Sequence, residues 1–207
     1  VPKPMLKRIL FLTWTTSSSI DRRRVPVRED VMQHVKRLLL ILPALVLAAC
    51  STLETATAPA LDADARWALL PAVNNTETAQ AGERLDAITV SLLQARGIKD
   101  VQRHPGSSNE GLLPAADRAA QEAALVWARG QNAKYAVYGS VQEWRYKTGL
   151  DGEPAAGITL TIVDVASGRV LWTGSGARTG WSREAVAAVA QKLTGSLIDK
   201  ALSPTKR

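Results

Sequence analysis

The chain has 207 residues, with 26 Lys and Arg against 19 Asp and Glu, a formal net charge of +7, two His and one Cys. Residues 1–49 hold nine of those basic and three of those acidic side chains, so everything from Cys50 onward is close to neutral. That excludes the dense basic patch needed to release counterions from nucleic-acid phosphates, and a lone cysteine excludes an intramolecular disulfide framework or a cysteine metal site.

Residues 1–31 carry Arg22-Arg23-Arg24 and Ser17-Ser18-Ser19 without sustained periodicity, and read as an upstream extension before a start at Met32. Lys36-Arg37 then precede the apolar run Leu38 to Ala49. A short charged segment, a short apolar core and small residues at its end make a secretory signal. The run is too short to span a bilayer, which takes about 20 apolar residues. It closes on Leu47-Ala48-Ala49-Cys50, which resembles the bacterial lipobox. Residues 32–49 are therefore read as a lipoprotein signal peptide, with Cys50 acylated and first in the mature protein. The alternative is an ordinary cleaved signal with an incidental cysteine. Residues 50–65 are rich in Ala, Thr and Pro with no apolar period, the composition of a flexible lipid tether.

The folded domain is assigned to residues 66–202, with a short tail at 203–207. Trp67 to Leu70 reads as a buried strand cut off by Pro71. Asn74-Asn75-Thr76 is a turn, and a helix follows from about Thr78 to Arg96. Ala81, Leu85, Ile88, Leu92 and Ala95 share one face of it, and Glu83, Arg84, Asp86, Gln94 and Arg96 the other. Gly97 is the expected cap. Ile98 to Arg103 is a short strand, and His104 to Gly111 a loop. A helix from about Pro114 to Arg129, ended by Gly130, carries the stripe Ala116, Ala120, Ala123 and Trp127. Side chains that small let it lie close to a sheet or to another subunit.

Lys134 to Lys147 is the longest strand. Its first half is apolar on both sides and hence central. Its second half alternates, with Glu143, Arg145 and Lys147 against Trp144 and Tyr146, and should project beyond the core. After the turn-rich stretch Thr148 to Pro154, Gly157 to Val165 forms the next strand. Ala166-Ser167-Gly168 turns the chain into a strand over 169–174. Gly174 to Trp181 reads as a flexible loop. Ser182 caps a last helix running to about Ala201, with Glu184 in its first turn and Val186, Val189, Leu193 and Leu197 on its apolar face. The order strand, helix, strand, helix, three strands, helix predicts a single α/β (α+β) domain, a mixed sheet with helices packed on it.

Catalytic patterns are missing. His104 is the only histidine after residue 49, so no conventional Ser–His–Asp or Cys–His set can be built without it, and it reads as a solvated loop residue. Gly174-x-Gly176-x-x-x-Gly180 departs from the dinucleotide fingerprint. The carboxylate pairs Asp62/Asp64 and Asp151/Glu153 lie in the tether and in a turn, without an obvious cleft. No catalytic residue, metal ligand or cofactor is assigned.

Taken together, several segments resemble the PelC family, outer-membrane lipoproteins of the Pel exopolysaccharide export machinery. They are the lipobox, the Trp67-to-Val73 strand with Asn75-Thr76, the strand Tyr135 to Lys147, the turn Gly149-Leu150-Asp151-Gly152-Glu153-Pro154, and the segment Ser175 to Glu184. The hairpin Asp164 to Trp172 is more distantly similar to LpoB, the TolB N-terminal domain and curli-secretion lipoproteins. The resemblance implies a non-catalytic homo-oligomeric ring on the periplasmic face of the outer membrane, anchored in lipid through Cys50. It would work beside a PelB-like exporter and present an acidic surface to a cationic polysaccharide, with aromatic residues on the opposite side meeting the membrane. It implies polysaccharide-guiding roles for Asp151 and Glu153, against the alternative of ordinary turn acids. It also implies a membrane-facing Trp181, against an indole stapled onto the last helix. The competing functions are an LpoB-like activator of an envelope synthase and a periplasmic polysaccharide hydrolase.

Overall fold

The computed structural model describes residues 51–106, 114–148, 152–181 and 183–203. The upstream extension, the signal peptide, Cys50, Asp151 and Ser182 lie outside the described residues. In chain order the elements are β1 (Ser51–Thr55), β2 (Trp67–Leu69), β3 (Val73–Asn74), α1 (Ala81–Ala95), β4 (Val101–Arg103), α2 (Pro114–Gly130), β5 (Tyr135–Tyr146), β6 (Pro154–Asp164), β7 (Val170–Thr179) and α3 (Val186–Leu202). The strands form one mixed sheet in the order β1-β7-β6-β5-β2-β4, with β3 pairing alongside β5. β2 runs parallel to β4 and β5, whereas β1, β7, β6 and β5 are successively antiparallel. The α/β mixed-sheet architecture read from the sequence is the one found.

Alternation along β5 divides the core. Tyr135, Val137 and Val141 face α1 and α3, in a cluster with Leu85, Leu93, Trp172, Leu193 and Leu197. Ala136 and Tyr138 face α2, whose Ala124 and Ala128 pack on Ala68, Leu70 and Val163. The buried stripe of α2 is thus one residue out of phase with the expected one. Ala123 is exposed and Trp127 half-buried. The helix ends at Gly130 as expected, and Asn132 just beyond it takes the left-handed conformation.

Four further expectations are corrected. First, the tether begins as a strand. β1 pairs with β7 from Ser51 opposite Arg178 to Thr55 opposite Gly174. The following segment is tied down as well: Trp172 Nε1 donates to the Ala56 carbonyl at 3.1 Å, and Trp67 Nε1 to that of Asp62 at 3.1 Å. An edge strand needs only unpaired backbone beside it, and β7 supplies that; the Thr-rich composition did not exclude it.

Second, the supposed glycine loop is the second half of β7. A Cβ on Gly176 would lie 2.8 Å from Leu193 Cδ1 and 2.9 Å from Leu53 Cδ1. The glycine is there because α3 and β1 close over it.

Third, β5 carries a β-bulge at Gln142, where its register against β6 shifts between Val141 and Glu143. The extra residue shifts the alternation by one, so Trp144 faces the core at 3% exposure instead of projecting beyond it, and Tyr146, two residues on along the same face, is exposed at the strand end. Fourth, α3 starts at Val186 with Ala185 as its cap, leaving Glu184 before the first turn.

Along α1 the buried positions are Ala81, Gly82, Leu85, Asp86, Thr89 and Leu93, with Ile88 and Leu92 partly covered and Ala95 exposed. Asp86, assigned to the polar face, is inside the protein. No helix among the described residues is long and apolar enough to cross a membrane.

Candidate functional site

One end of the sheet gathers more sequence-selected residues than any other part. The register links Ser51 to Arg178, Arg178 to Ala156 and Ala156 to Trp144. The start of β1, the end of β5, the start of β6 and the end of β7 therefore meet there. Two backbone bonds close the loops beyond them: Lys147 N–H to the Glu153 carbonyl at 2.7 Å, and Gly180 N–H to the Pro154 carbonyl at 2.8 Å. Glu153 and Trp181 are brought together by those bonds. Within a subunit they share one end of the sheet and do not lie at opposite ones.

Trp181 is 61% exposed and Tyr146 53% exposed. The Tyr146 hydroxyl donates to the Glu184 carbonyl at 3.3 Å, which joins the β5 end to the loop before α3. Lys147 and Arg183 beside them are exposed, and neither forms an ion pair among the described residues. The Lys192 ammonium holds the Glu184 carboxyl below its ordinary pKa. Glu153 is exposed and likewise has no cationic partner among the described residues. The site is therefore two exposed aromatics interleaved with cations, adjoining a hairpin that carries a carboxylate, none of these charges ion-paired among the described residues.

Sequence reasoning selected Glu153 and Trp181 but not Tyr146, Lys147 or Arg183. Tyr146 shares the strand face of Trp144, as its alternation implies, but stands two residues further along at the end of β5, where it is exposed. His104 is not a solvated loop residue. It is half-buried with its ring edge-on to Trp127, centroids 4.8 Å apart, and burial lowers its pKa. No group of three or more metal-ligating side chains occurs among the described residues.

No protein-family model matches the chain, and no curated protein does. Solved structures do. The described residues form a mixed α/β unit, three helices packed on a seven-stranded mixed sheet. The chain is similar to the PelC dodecamer from Paraburkholderia phytofirmans, with 37% identity over 75% of this chain and 100% of that one, at a TM-score of 0.64. A point variant of that dodecamer matches at 38% identity, over 74% of this chain and 99% of that one, with the same TM-score. The lipoprotein GNA1162 from Neisseria meningitidis is more distant, at 16% identity over 66% of this chain and 96% of that one, with a TM-score of 0.46. The chain belongs to the PelC family.

Proposed function

We propose that this protein is a non-catalytic lipoprotein of Pel exopolysaccharide export. It is anchored through Cys50 to the periplasmic face of the outer membrane. There it assembles as a homo-oligomeric ring and guides cationic polysaccharide to a PelB-like pore. Family membership and the relative's dodecameric state support the ring.

One observation carries the orientation. Ser51, the residue after Cys50, opens β1 opposite Arg178, three residues before Trp181. Successive Cα atoms are about 3.8 Å apart, so an acyl chain on Cys50 enters the bilayer at the end of the sheet bearing Trp181 and Tyr146. Amphipathic rings suit the membrane–water interface, and long cations such as Lys147 and Arg183 reach lipid phosphates while their stems stay in apolar surroundings. Glu153, with Asp151 beside it in sequence, supplies carboxylates at the adjoining hairpin. Repeated around a ring, such carboxylates build a field that draws in a polycation.

The test replaces each half of the site in the full chain. Asp151→Asn combined with Glu153→Gln should lower polymer export severalfold without changing oligomer mass, and unaltered export would remove both carboxylates from the guiding role. Trp181→Ala should weaken membrane association or export. Wild-type behaviour in both would leave Trp181 as a surface residue of the loop.

A further inference from the structure

On the sheet face that points away from α1 and α3, α2 packs over Ala68, Leu70, Ala136 and Val163. Elsewhere on that face the described residues form an open trough of about 760 Å³. Its floor is β1, β7 and β6, with Thr52, Gly157 and Ala177 central, and its walls are the β5 bulge and the loop after β3. Three carboxylates line it, Glu54, Glu77 and Glu143, against a single guanidinium, that of Arg145. Arg145 is already bonded to Glu143 at 3.0 Å. Glu54 and Glu77 have no partner among the described residues.

Behind the same strands, on the helix side, lies a second open concavity of about 570 Å³ between α1, α3 and the end of β7. Its lining is basic, with Arg96, Arg178 and Lys192 against the carboxylate Asp199; Arg96 is bonded to Asp199 and Lys192 to Glu184, each at 2.5 Å, which leaves Arg178 as its cation without an ion pair among the described residues. Alternation along β7 sets the two apart: Ser175 and Ala177 face the trough, whereas Arg178 shares the side of Trp172 and Gly176.

We infer that the acidic trough of one copy of this chain receives the basic α1–α3 face of the next. The inference rests on the ring reading and specifies its subunit contact.

Two observations favour a second copy as the occupant. The first is charge. A two-fold dimer pairs a patch with itself, which here would set carboxylates against carboxylates. Complementary patches on opposite faces make a head-to-tail contact, the kind that closes into a ring. The second is hydrogen bonding. The polar side chains of the bare face already satisfy one another: Gln142 Nε2 donates to Ser140 Oγ at 2.7 Å and Thr159 Oγ1 at 3.1 Å, and Thr159 Oγ1 donates to Ser175 Oγ at 3.0 Å. Covering such a row strands few donors, as burial in a protein interface requires. Gly157 and Ala177 leave room for close approach.

The test uses the full, lipidated chain in outer membranes. Ala177→Cys and Gln191→Cys are introduced together and singly, and disulfides are formed with mild oxidant. The double variant should give a ladder of linked subunits up to the ring, and each single variant no more than the wild type. Charge exchange is the second arm. Glu54→Lys with Glu77→Lys, and separately Arg178→Glu with Lys192→Glu, should each lower the oligomeric fraction roughly tenfold, and joining both sets should restore it. A native oligomer of wild-type mass with no ladder and no effect of either charge set would overturn this contact and leave the ring reading standing. A wild-type protein that stays monomeric in membranes would overturn both.

Discussion

Asp86 is the residue whose environment departs furthest from what its chemistry prefers. Its two carboxylate oxygens accept the Ala72 N–H at 3.1 and 3.3 Å, at the break between β2 and β3. The side chain is buried, and loss of hydration pushes its pKa up to about 7 from the ordinary 3.8. In the folded state it therefore holds its proton to a higher pH than in the unfolded chain. Its contribution to stability is full below about pH 4. It falls as pH rises through the window to about 7, and no further above that. The size is on the order of 4 kcal/mol at most. Asp100 and Asp199, lowered by Arg66 and Arg96, act in the opposite sense and lose their contribution as pH falls through the acid range. Asp86→Asn keeps an oxygen for the Ala72 N–H and removes the charge. Urea melts at pH 4, 6 and 8 should show the variant more stable than wild type at pH 8, with the decline between pH 4 and 7 flattened. A variant weaker than wild type at pH 8 would mean that the ionised form is the one the fold uses. Nothing in the sequence marks Asp86 as buried. The period of α1 assigned it to the polar face, and only the kink at Pro71-Ala72, arriving from another element, gives it an interior partner.

At the scale of elements, what could be read was local and what could not was pairing. The apolar face of α3 was legible because Val186, Val189, Leu193 and Leu197 repeat at helical spacing, and all four are buried. The central place of β5 followed from its apolar first half. The strand character of β1 and of residues 175–179 did not follow, because each half of that ladder is an unremarkable Thr- or Gly-rich stretch alone. Residues 175–179 join the sheet because β6 lies along one side of them and β1 along the other, and β1 because β7 lies beside it. Gly176 lies where α3 and β1 meet over β7. In sequence it looked like loop flexibility; in the fold it is the absence of a side chain that lets Leu193 and Leu53 meet over the sheet. Gly176→Val should therefore cost about 1–3 kcal/mol by overpacking, measurable as a lower urea midpoint. Hydrogen exchange should show the loss of protection concentrated in β1, since an edge strand has the fewest contacts to hold it. A midpoint within error of wild type would mean that α3 and β1 shift apart without penalty.

For the whole molecule, the β1 pairing turns a question of anchoring into one of orientation. Cys50 and Trp181 both stand out in the sequence, one in the lipobox and the other in glycine-rich surroundings. That Ser51, the residue after Cys50, lies at the same end of the sheet as Trp181 does not, because it depends on the register of Ser51 against Arg178. A flexible tether over 50–65 would let the domain wander by tens of ångströms, since a coil of n residues spans about 5–6 Å times √n. With the lipid on Cys50 as proposed, a strand that begins at Ser51 allows almost none of that freedom. On the function proposed above, the aromatic and cationic end is then held against the bilayer, and each copy in a ring is held at the same tilt. Inserting about ten Gly and Ser residues between Cys50 and Ser51 restores the missing tether without touching the fold or the lipid. The amount of protein in the outer membrane and the oligomer mass should stay at wild-type values, because acylation and subunit contacts are intact. Polymer export should fall severalfold, because the ring no longer sits at a fixed height and tilt over the pore. Export at the wild-type rate with the spacer in place would show that β1 is an edge strand with no part in orientation, and that Trp181 and its neighbours find the membrane without it.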